Sequence, residues 1–401
     1  MAGRSGIGRA GAVLLAVATA ALVAPTAVTA PAAAQAVMAA EAPEATLALP
    51  APTGRYPVGV TDLHLVDEDR ADPWVPERRR ELMVSLWYPA ANRHGAPDRY
   101  ASPEESRLIL QHLGAEGVPV EALSTVRTHG VTGVRALPRH GGWPLVVLSP
   151  GFSFPRTSLT ALAEDLASRG YVVAGVDHTY EAAAVTFPDD RLIQCLVCTL
   201  LDEERVKPTD VTRGRAADIS FVLDEVTGRH LIGAPRPAGP LAAVTRAGIR
   251  IDRDRIAMAG HSIGGASAAE TMLRDSRVDA GVNMDGTFFP PITTDLKRPF
   301  LMLGAEGHGE PGVDQTWDVT WEHLTGSRLW ITVTGTTHSS FTDYAVLGDQ
   351  VGLPLQPLSG ERCAEITRQY VAAFVDRHLR HRPSPLLNGP SARYPEVVFR
   401  P

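Results

Sequence analysis

Lysine is almost missing from this chain of 401 residues: Lys207 and Lys297 are the only two, so nearly all of the 38 basic residues are arginine. In an alanine-rich sequence that bias reads as GC-rich coding. The formal net charge of −7 leaves no electrostatic footprint for nucleic acid. Cysteine is also scarce, with three residues, and the ligands a zinc site needs are not clustered near them. No repeat at a fixed period is present. No apolar run reaches the ~18–20 residues of a membrane span. Glycine and proline, 36 and 32 residues, stay below the ~25–30% of low-complexity chains. Collagen, coiled coil and wholesale disorder are thereby excluded. What remains, at 44% hydrophobic and 21% charged residues, is a globular chain long enough to bury a substantial core.

Arg4 and Arg9 precede an uncharged Ala/Val/Leu stretch from Ala10 to Ala24, and Ala34-Gln35-Ala36 follows. A short basic segment, a short apolar segment and an A-x-A site describe a secretory signal peptide, residues 1–36, cleaved after Ala36. Loss of Arg4 and Arg9 takes the charge of the mature chain from −7 to −9. Residues 37–53 are an Ala/Pro-rich leader. In an oxidising compartment a disulfide is expected, within Cys195-x-x-Cys198 or from one of the pair to Cys363; sequence leaves the partner open.

Val58–Leu65 and Glu81–Tyr88 read as two early strands. Ser102-Pro103-Glu104-Glu105 opens a helix: an N-cap, proline at the first position, then acids that suit the helix dipole. Residues 101–138 form an insertion, either a lid or a surface helix. The pattern then becomes regular. Strands are expected at Leu145–Ser149, Tyr171–Val176, Ile256–Ala259, Ala280–Met284, Phe300–Gly304 and Leu329–Val333. Helices are expected at Thr157–Arg169, Ala216–Arg229, from Ile263 to about Arg274, and at Ala364–Leu379. Strands alternating with helices predict one α/β domain, residues 54–381, with a mostly parallel sheet covered on both faces. Residues 382–401 read as a Pro-rich tail.

Gly260-x-Ser262-x-Gly264 lies between a predicted strand and a predicted helix. A serine hydroxyl is a poor nucleophile until a base takes its proton. A strand-to-helix elbow lifts the hydroxyl clear of the sheet, and its tight turn demands small flanking residues. Serine enzymes built this way order their triad as serine, acid, histidine. His338 follows the strand LWITV and meets that order. His178 precedes the serine, and His308 and His323 follow no strand as closely. For the acid, Asp285 and Glu306 both sit at strand ends, where α/β sheets place their sites. The oxyanion requires two backbone donors: Ile263, next to the serine, and Phe152, in the loop Pro150-Gly151-Phe152-Ser153. Phe154, Phe288, Phe289 and Phe341 flank the same loops, as an acyl pocket or as ordinary core.

Several ordered segments resemble the platelet-activating factor acetylhydrolase family of secreted α/β-hydrolase esterases. They are Trp87-Tyr88-Pro89, Ser149-Pro150-Gly151-Phe152 with Arg156, Leu166-Ala167-Ser168-Arg169-Gly170-Tyr171-Val172-Val173, Gly260-His261-Ser262-Ile263-Gly264-Gly265-Ala266, Asn283-Met284-Asp285 and Thr337-His338-x-x-Phe341-x-Asp343. The resemblance implies an α/β-hydrolase fold and metal-free, cofactor-free serine esterase chemistry on short acyl chains or oxidised lipids. It also assigns the acid to Asp285, leaving Glu306 over, and the second oxyanion donor to Phe152. The chain departs from the family in Ser149-Pro150-Gly151, where His-Gly is common, and in Gly286-Thr287 beside the acid. Cutinase-type polyester hydrolases and lipases share much of the pattern, so these are the alternative esterases. A prolyl-type serine peptidase and a non-catalytic binding protein are the alternatives from other classes. The expected partner is the ester or lipid substrate, with transient contact to a lipid surface allowed and no protein partner indicated.

Overall fold

The computed structural model describes residues 46–228 and 241–401. The expected signal peptide, the start of the leader and Arg229 lie outside the described residues. In chain order the elements are β1 (Val58–Ala71), β2 (Arg79–Pro89), β3 (Ala96–Arg99), α1 (Pro103–His112), β4 (Arg127–Thr132), β5 (Trp143–Ser149), α2 (Thr160–Ser168) and β6 (Val172–His178). There follow β7 (Val185–Thr186), β8 (Leu192–Ile193), α3 (Leu196–Asp202), α4 (Pro208–Thr227), α5 (Leu241–Ala247), β9 (Ile251–His261), α6 (Ile263–Arg274) and β10 (Ala280–Met284). The chain continues through β11 (Phe300–Ala305), α7 (Gln315–His323), β12 (Arg328–Val333), α8 (Tyr344–Gln350), α9 (Gly360–Arg380) and β13 (Val397–Phe399).

Eleven strands make one sheet in the order β13-β12-β11-β10-β9-β5-β6-β2-β1-β4-β3, and β7 pairs with β8 apart from it. The run from β12 to β6 is parallel throughout. β2 is antiparallel to both β1 and β6, and β13 is antiparallel to β12. β5, β6, β10 and β11 are buried at every position because both faces of the sheet are covered, and successive side chains go to opposite layers. On β5, Leu145 and Val147 join one core with Ile219, Val222 and Leu223 of α4 and Met272 of α6. Val146 and Leu148 join the other, with Leu162 and Leu166 of α2 and Val371 and Phe374 of α9.

The helix expected at Ser102 forms as α1, with the Ser102 hydroxyl accepting from Glu105 N–H and the Glu105 carboxylate accepting from Ser102 N–H, at 3.2 and 2.8 Å. The insertion it opens also supplies β4 to the sheet, parallel to β1. The residues set apart as a C-terminal tail are not outside the sheet: Val397–Phe399 extends its edge as β13. Three residues among prolines carry too little periodicity to be read as a strand. The disulfide joins Cys195 to Cys198, and Cys363 is free and buried in α9.

Beneath the ends of β2, β5 and β6 lies a buried charge network. Arg80 donates to Asp218 at 2.6 and 3.0 Å and to Asp72 at 2.9 Å. His178 meets Asp218 through Nδ1 at 2.8 Å and Ser149 Oγ through Nε2 at 3.0 Å. Burial, reinforced by Arg215, pushes His178 down to about 3, so it is neutral. Its Nδ1–H donates to Asp218, and its Nε2 accepts from Ser149. Arg215, held by Glu181 at 2.7 Å, donates to the Pro150 carbonyl at 2.6 Å. Removing one member of such a pair strands a buried charge, at a cost of about 3–5 kcal/mol. The network thus ties the loop after β5 to the frame of the sheet.

Candidate active site

The ends of β5, β9, β10 and β12 bring the expected residues together on one edge of the sheet. β9 runs directly into α6, and Ser262 at the junction is held at φ 56° and ψ −128°. A side chain in that region is strained and persists only where its surroundings enforce it. Here Ser262 N–H is tied to the Met284 carbonyl at 2.8 Å. The flanking glycines are a steric requirement: a β-carbon at Gly260 would run into the Gly264 backbone, and one at Gly264 into the Ser149 carbonyl.

Ser262 Oγ lies 2.9 Å from His338 Nε2, and His338 Nδ1 lies 2.7 Å from Asp285 Oδ2. Asp285 is fully buried, whereas the His338 side chain is 52% exposed, so the far end of the chain is open to a ligand. The turn after β10 also holds Asp285 at positive φ, 59°. Asn283 brackets this turn, its amide contacting the Gly286 N–H and carbonyl at 2.8 and 2.7 Å. Burial opposes the charge on Asp285, but hydrogen bonds from His308 and His338 outweigh it and hold the carboxyl below its usual range. The Ala305 amide adds a donor at 2.7 Å.

His261, inside the serine motif, donates from Nε2 to the His338 carbonyl at 2.7 Å. Burial, with His338 alongside, pushes His261 down to about 3. It therefore acts as a neutral strut under the His338 loop. Among the described residues, the amides of Phe152 and Ile263 donate to no protein acceptor. Both residues line a cleft of about 610 Å³ at Ser262, with Leu201, Pro208, Thr287, Phe289, Glu306 and His308 among its other walls. That volume falls in the range of small-molecule sites.

Of the four phenylalanines considered for a pocket, only Phe289 lines this cleft. Phe288 and Phe341 are buried in the two cores on either side of the sheet, and Phe154 stacks on His261 and meets Tyr344 edge-on. Phe288 is buried, whereas its neighbour Phe289 is half-buried and faces the cleft. No residue of the 101–138 insertion lines the cleft. It borders instead an apolar groove of about 540 Å³ against α8 and a separate cavity of about 870 Å³ near Arg156.

The rivals are also placed. Glu306 accepts from the Gly335 amide at 2.7 Å, and no hydrogen bond joins it to a histidine among the described residues. His178 belongs to the buried network, and His323 pairs with Asp295 at 3.3 Å. His308 is different: it touches Asp285, Nδ1 to Oδ1, at 2.8 Å. Sequence reasoning missed this contact, as well as the wall residues Leu201 and Pro208. Asp285, His308 and His338 bring ligand-type atoms within 4.8 Å of one another. Two imidazole N–H donors on a shared carboxylate account for that spacing.

The family model for platelet-activating factor acetylhydrolase, isoform II, matches residues 42–198 and 246–383. The chain belongs to this family. A probable 1-alkyl-2-acetylglycerophosphocholine esterase of Arthroderma benhamiae is 28% identical over 393 residues, covering 88% of this chain and 94% of the relative. The platelet-activating factor acetylhydrolase of Bos taurus is 25% identical, covering 82% and 77%. A bis(hydroxyethyl) terephthalate hydrolase of Streptomyces coelicolor is 25% identical over 179 residues, 43% of this chain and 44% of that one. Among solved structures, a ferulic acid esterase from Streptomyces cinnamoneus superposes with a TM-score of 0.77 at 45% identity, covering 89% of this chain and all of that one. The fold is that of the α/β-hydrolases, and the protein is a carboxylic ester hydrolase.

Proposed function

We propose that the protein is a secreted serine esterase that works through an acyl-enzyme. The observation that carries this reading is the unbroken hydrogen-bonded chain Ser262–His338–Asp285 at the floor of the cleft. Ser262 Oγ attacks the ester carbonyl while His338 Nε2 takes its proton. The oxyanion is received by the amides of Phe152 and Ile263. As the C–O bond breaks, His338 returns the proton to the departing alkoxide, leaving the acyl group on Ser262. Water, deprotonated by the same nitrogen, then releases the acid and restores the serine. Asp285 keeps the Nδ1–H tautomer and stabilises the imidazolium that forms in both halves.

The cleft must hold both the acyl group and the alcohol, which favours short acyl esters, including those of lipids. A second reading is supported by the ferulic acid esterase likeness and by the apolar wall of Phe152, Leu201, Pro208, Ile263 and Phe289: compact aromatic acyl groups. Ranking kcat/KM on purified mature protein for p-nitrophenyl acetate, butyrate and decanoate, methyl ferulate, an acetyl-phospholipid and an aromatic polyester separates these. Acetate and butyrate are expected to exceed decanoate by at least about tenfold. Methyl ferulate at or above acetate selects the second reading, and decanoate in the lead contradicts both.

Secretion is supported by the basic, apolar and A-x-A succession before Val37 and by a disulfide suited to an oxidising compartment. The protein recovered from culture medium is expected to begin at Val37. A full-length chain confined to the cytoplasm contradicts secretion.

A further inference from the structure

The triad carboxylate carries a second imidazole that the acyl-transfer steps do not use. Asp285 Oδ2 accepts from His338, and Asp285 Oδ1 accepts from His308 Nδ1–H at 2.8 Å. The other nitrogen of His308, Nε2, lies 3.2 Å from Asp314 Oδ2. Asp314 caps α7, and its Oδ1 is taken by the amide and hydroxyl of Thr316 at 2.8 and 2.7 Å. Thr287 Oγ1 lies 3.3 Å from His308 Nε2, but its proton is shared with the Asp314 carboxylate.

Both nitrogens of His308 therefore face carboxylate oxygens, which only accept. A neutral imidazole would set a lone pair against one of them. The imidazolium, with two N–H donors, satisfies both. Hydrogen bonding to Asp285, with Asp314 adding to it, raises His308 above the ordinary histidine value against the pull of partial burial.

We propose that His308 is a standing cation that grips Asp285 on the side away from His338 and sets the acid limit of the esterase. This rests on the reading of His338 as the base. The ring centroids of His308 and His338 are 6.2 Å apart. A fixed positive charge at that distance disfavours a second positive charge on the His338 ring. The remaining groups facing the two rings leave this balance in place. Trp317 meets His308 edge-on and carries no charge, and His261 is a neutral neighbour of His338. Glu306 is turned to Gly335, and Glu310 is paired with Arg400. With His338 neutral, the resting site holds two carboxylates and one cation. Without the cation, the protonated form of His338 gains and survives to higher pH. His308 is thus a positioning residue that acts through Asp285 and through its charge.

The test is kcat/KM for p-nitrophenyl acetate against pH in wild type, His308→Asn and Asp314→Asn, with Ser262→Ala alongside. His308→Asn retains an N–H donor for Asp285 but removes the charge. Asp314→Asn retains an N-cap for α7 and supplies an amide that donates to a neutral His308. His308→Asn is expected to move the acid limb up by about one pH unit, the size left to two part-screened charges at this distance, and Asp314→Asn, which removes a carboxylate along with the cation, to move it up by less. The plateau should fall by no more than about tenfold. ¹⁵N NMR of wild type at pH 7 is expected to show both ring nitrogens of His308 protonated, a readout that needs no variant to fold. An acid limb that stays put in both variants, or a neutral His308 ring at pH 7, overturns the proposal. If Ser262→Ala is inactive while the limb stays put, the proposal alone fails. If Ser262→Ala keeps its turnover, the triad reading fails and the proposal falls with it.

Discussion

Ser262→Ala is expected to lower kcat for p-nitrophenyl esters by about a million-fold, the scale seen when a triad serine is removed, and to abolish the burst of nitrophenolate. The expectation follows from the elbow. Among the described residues, Ser262 is the one hydroxyl that is both within hydrogen-bond reach of His338 Nε2 and at the floor of the open cleft. Ser149 stands in a similar chain, Ser149–His178–Asp218, yet all three side chains are fully buried, so no ester can reach them. The variant should fold, because alanine at position 262 keeps every backbone bond of the turn, including the one to Met284. Turnover within tenfold of wild type would mean that another group attacks the ester.

Asp285→Asn and Glu306→Gln form the second large contrast. Asparagine at position 285 presents an amide where two imidazole N–H groups expect an acceptor, and it favours the wrong tautomer of His338. A loss of about ten-thousand-fold in kcat is expected, as for other triads with this change. Glu306→Gln should stay within a few-fold of wild type, because among the described residues the Glu306 side chain accepts from Gly335 N–H and does not meet His338. Measured side by side, the two variants locate the acid. A large loss in Glu306→Gln with Asp285→Asn near wild type would reverse the assignment.

The two carboxylates illustrate how far sequence reasoning reaches. Both follow buried parallel strands, and mostly apolar runs such as Ala280–Met284 and Phe300–Ala305 are legible because coverage on both faces disfavours polar residues. The pattern cannot say which strand end faces the histidine. Family resemblance favours Asp285, and in the structure Asp285 meets His338 while Glu306 accepts from the Gly335 amide. The same limit applies around the site. Phe288 and Phe289 are indistinguishable in sequence, and only the path of the loop sends one into the core and the other into the cleft. Cys195, Cys198 and Cys363 allowed three pairings, and chain path brings only the first two together. β13 and α7 were invisible for another reason: one is three residues long, and the other buries little besides Trp317 and Thr320. His308 left a trace, a histidine near a strand end. Its meaning depends on Asp285 and Asp314, which lie 23 residues before it and six after.

The proposed esterase reaction runs through covalent chemistry at one atom, Ser262 Oγ, and trapping that atom tests it most directly. Purified mature protein treated with diethyl p-nitrophenyl phosphate, an ester mimic that phosphorylates an activated serine, is analysed by intact mass and peptide mapping. The predicted result is one adduct per chain, on the peptide holding Ser262, formed as one equivalent of nitrophenolate is released and activity is lost in step. An adduct on any other residue, or full inhibition with Ser262 unmodified, would contradict it.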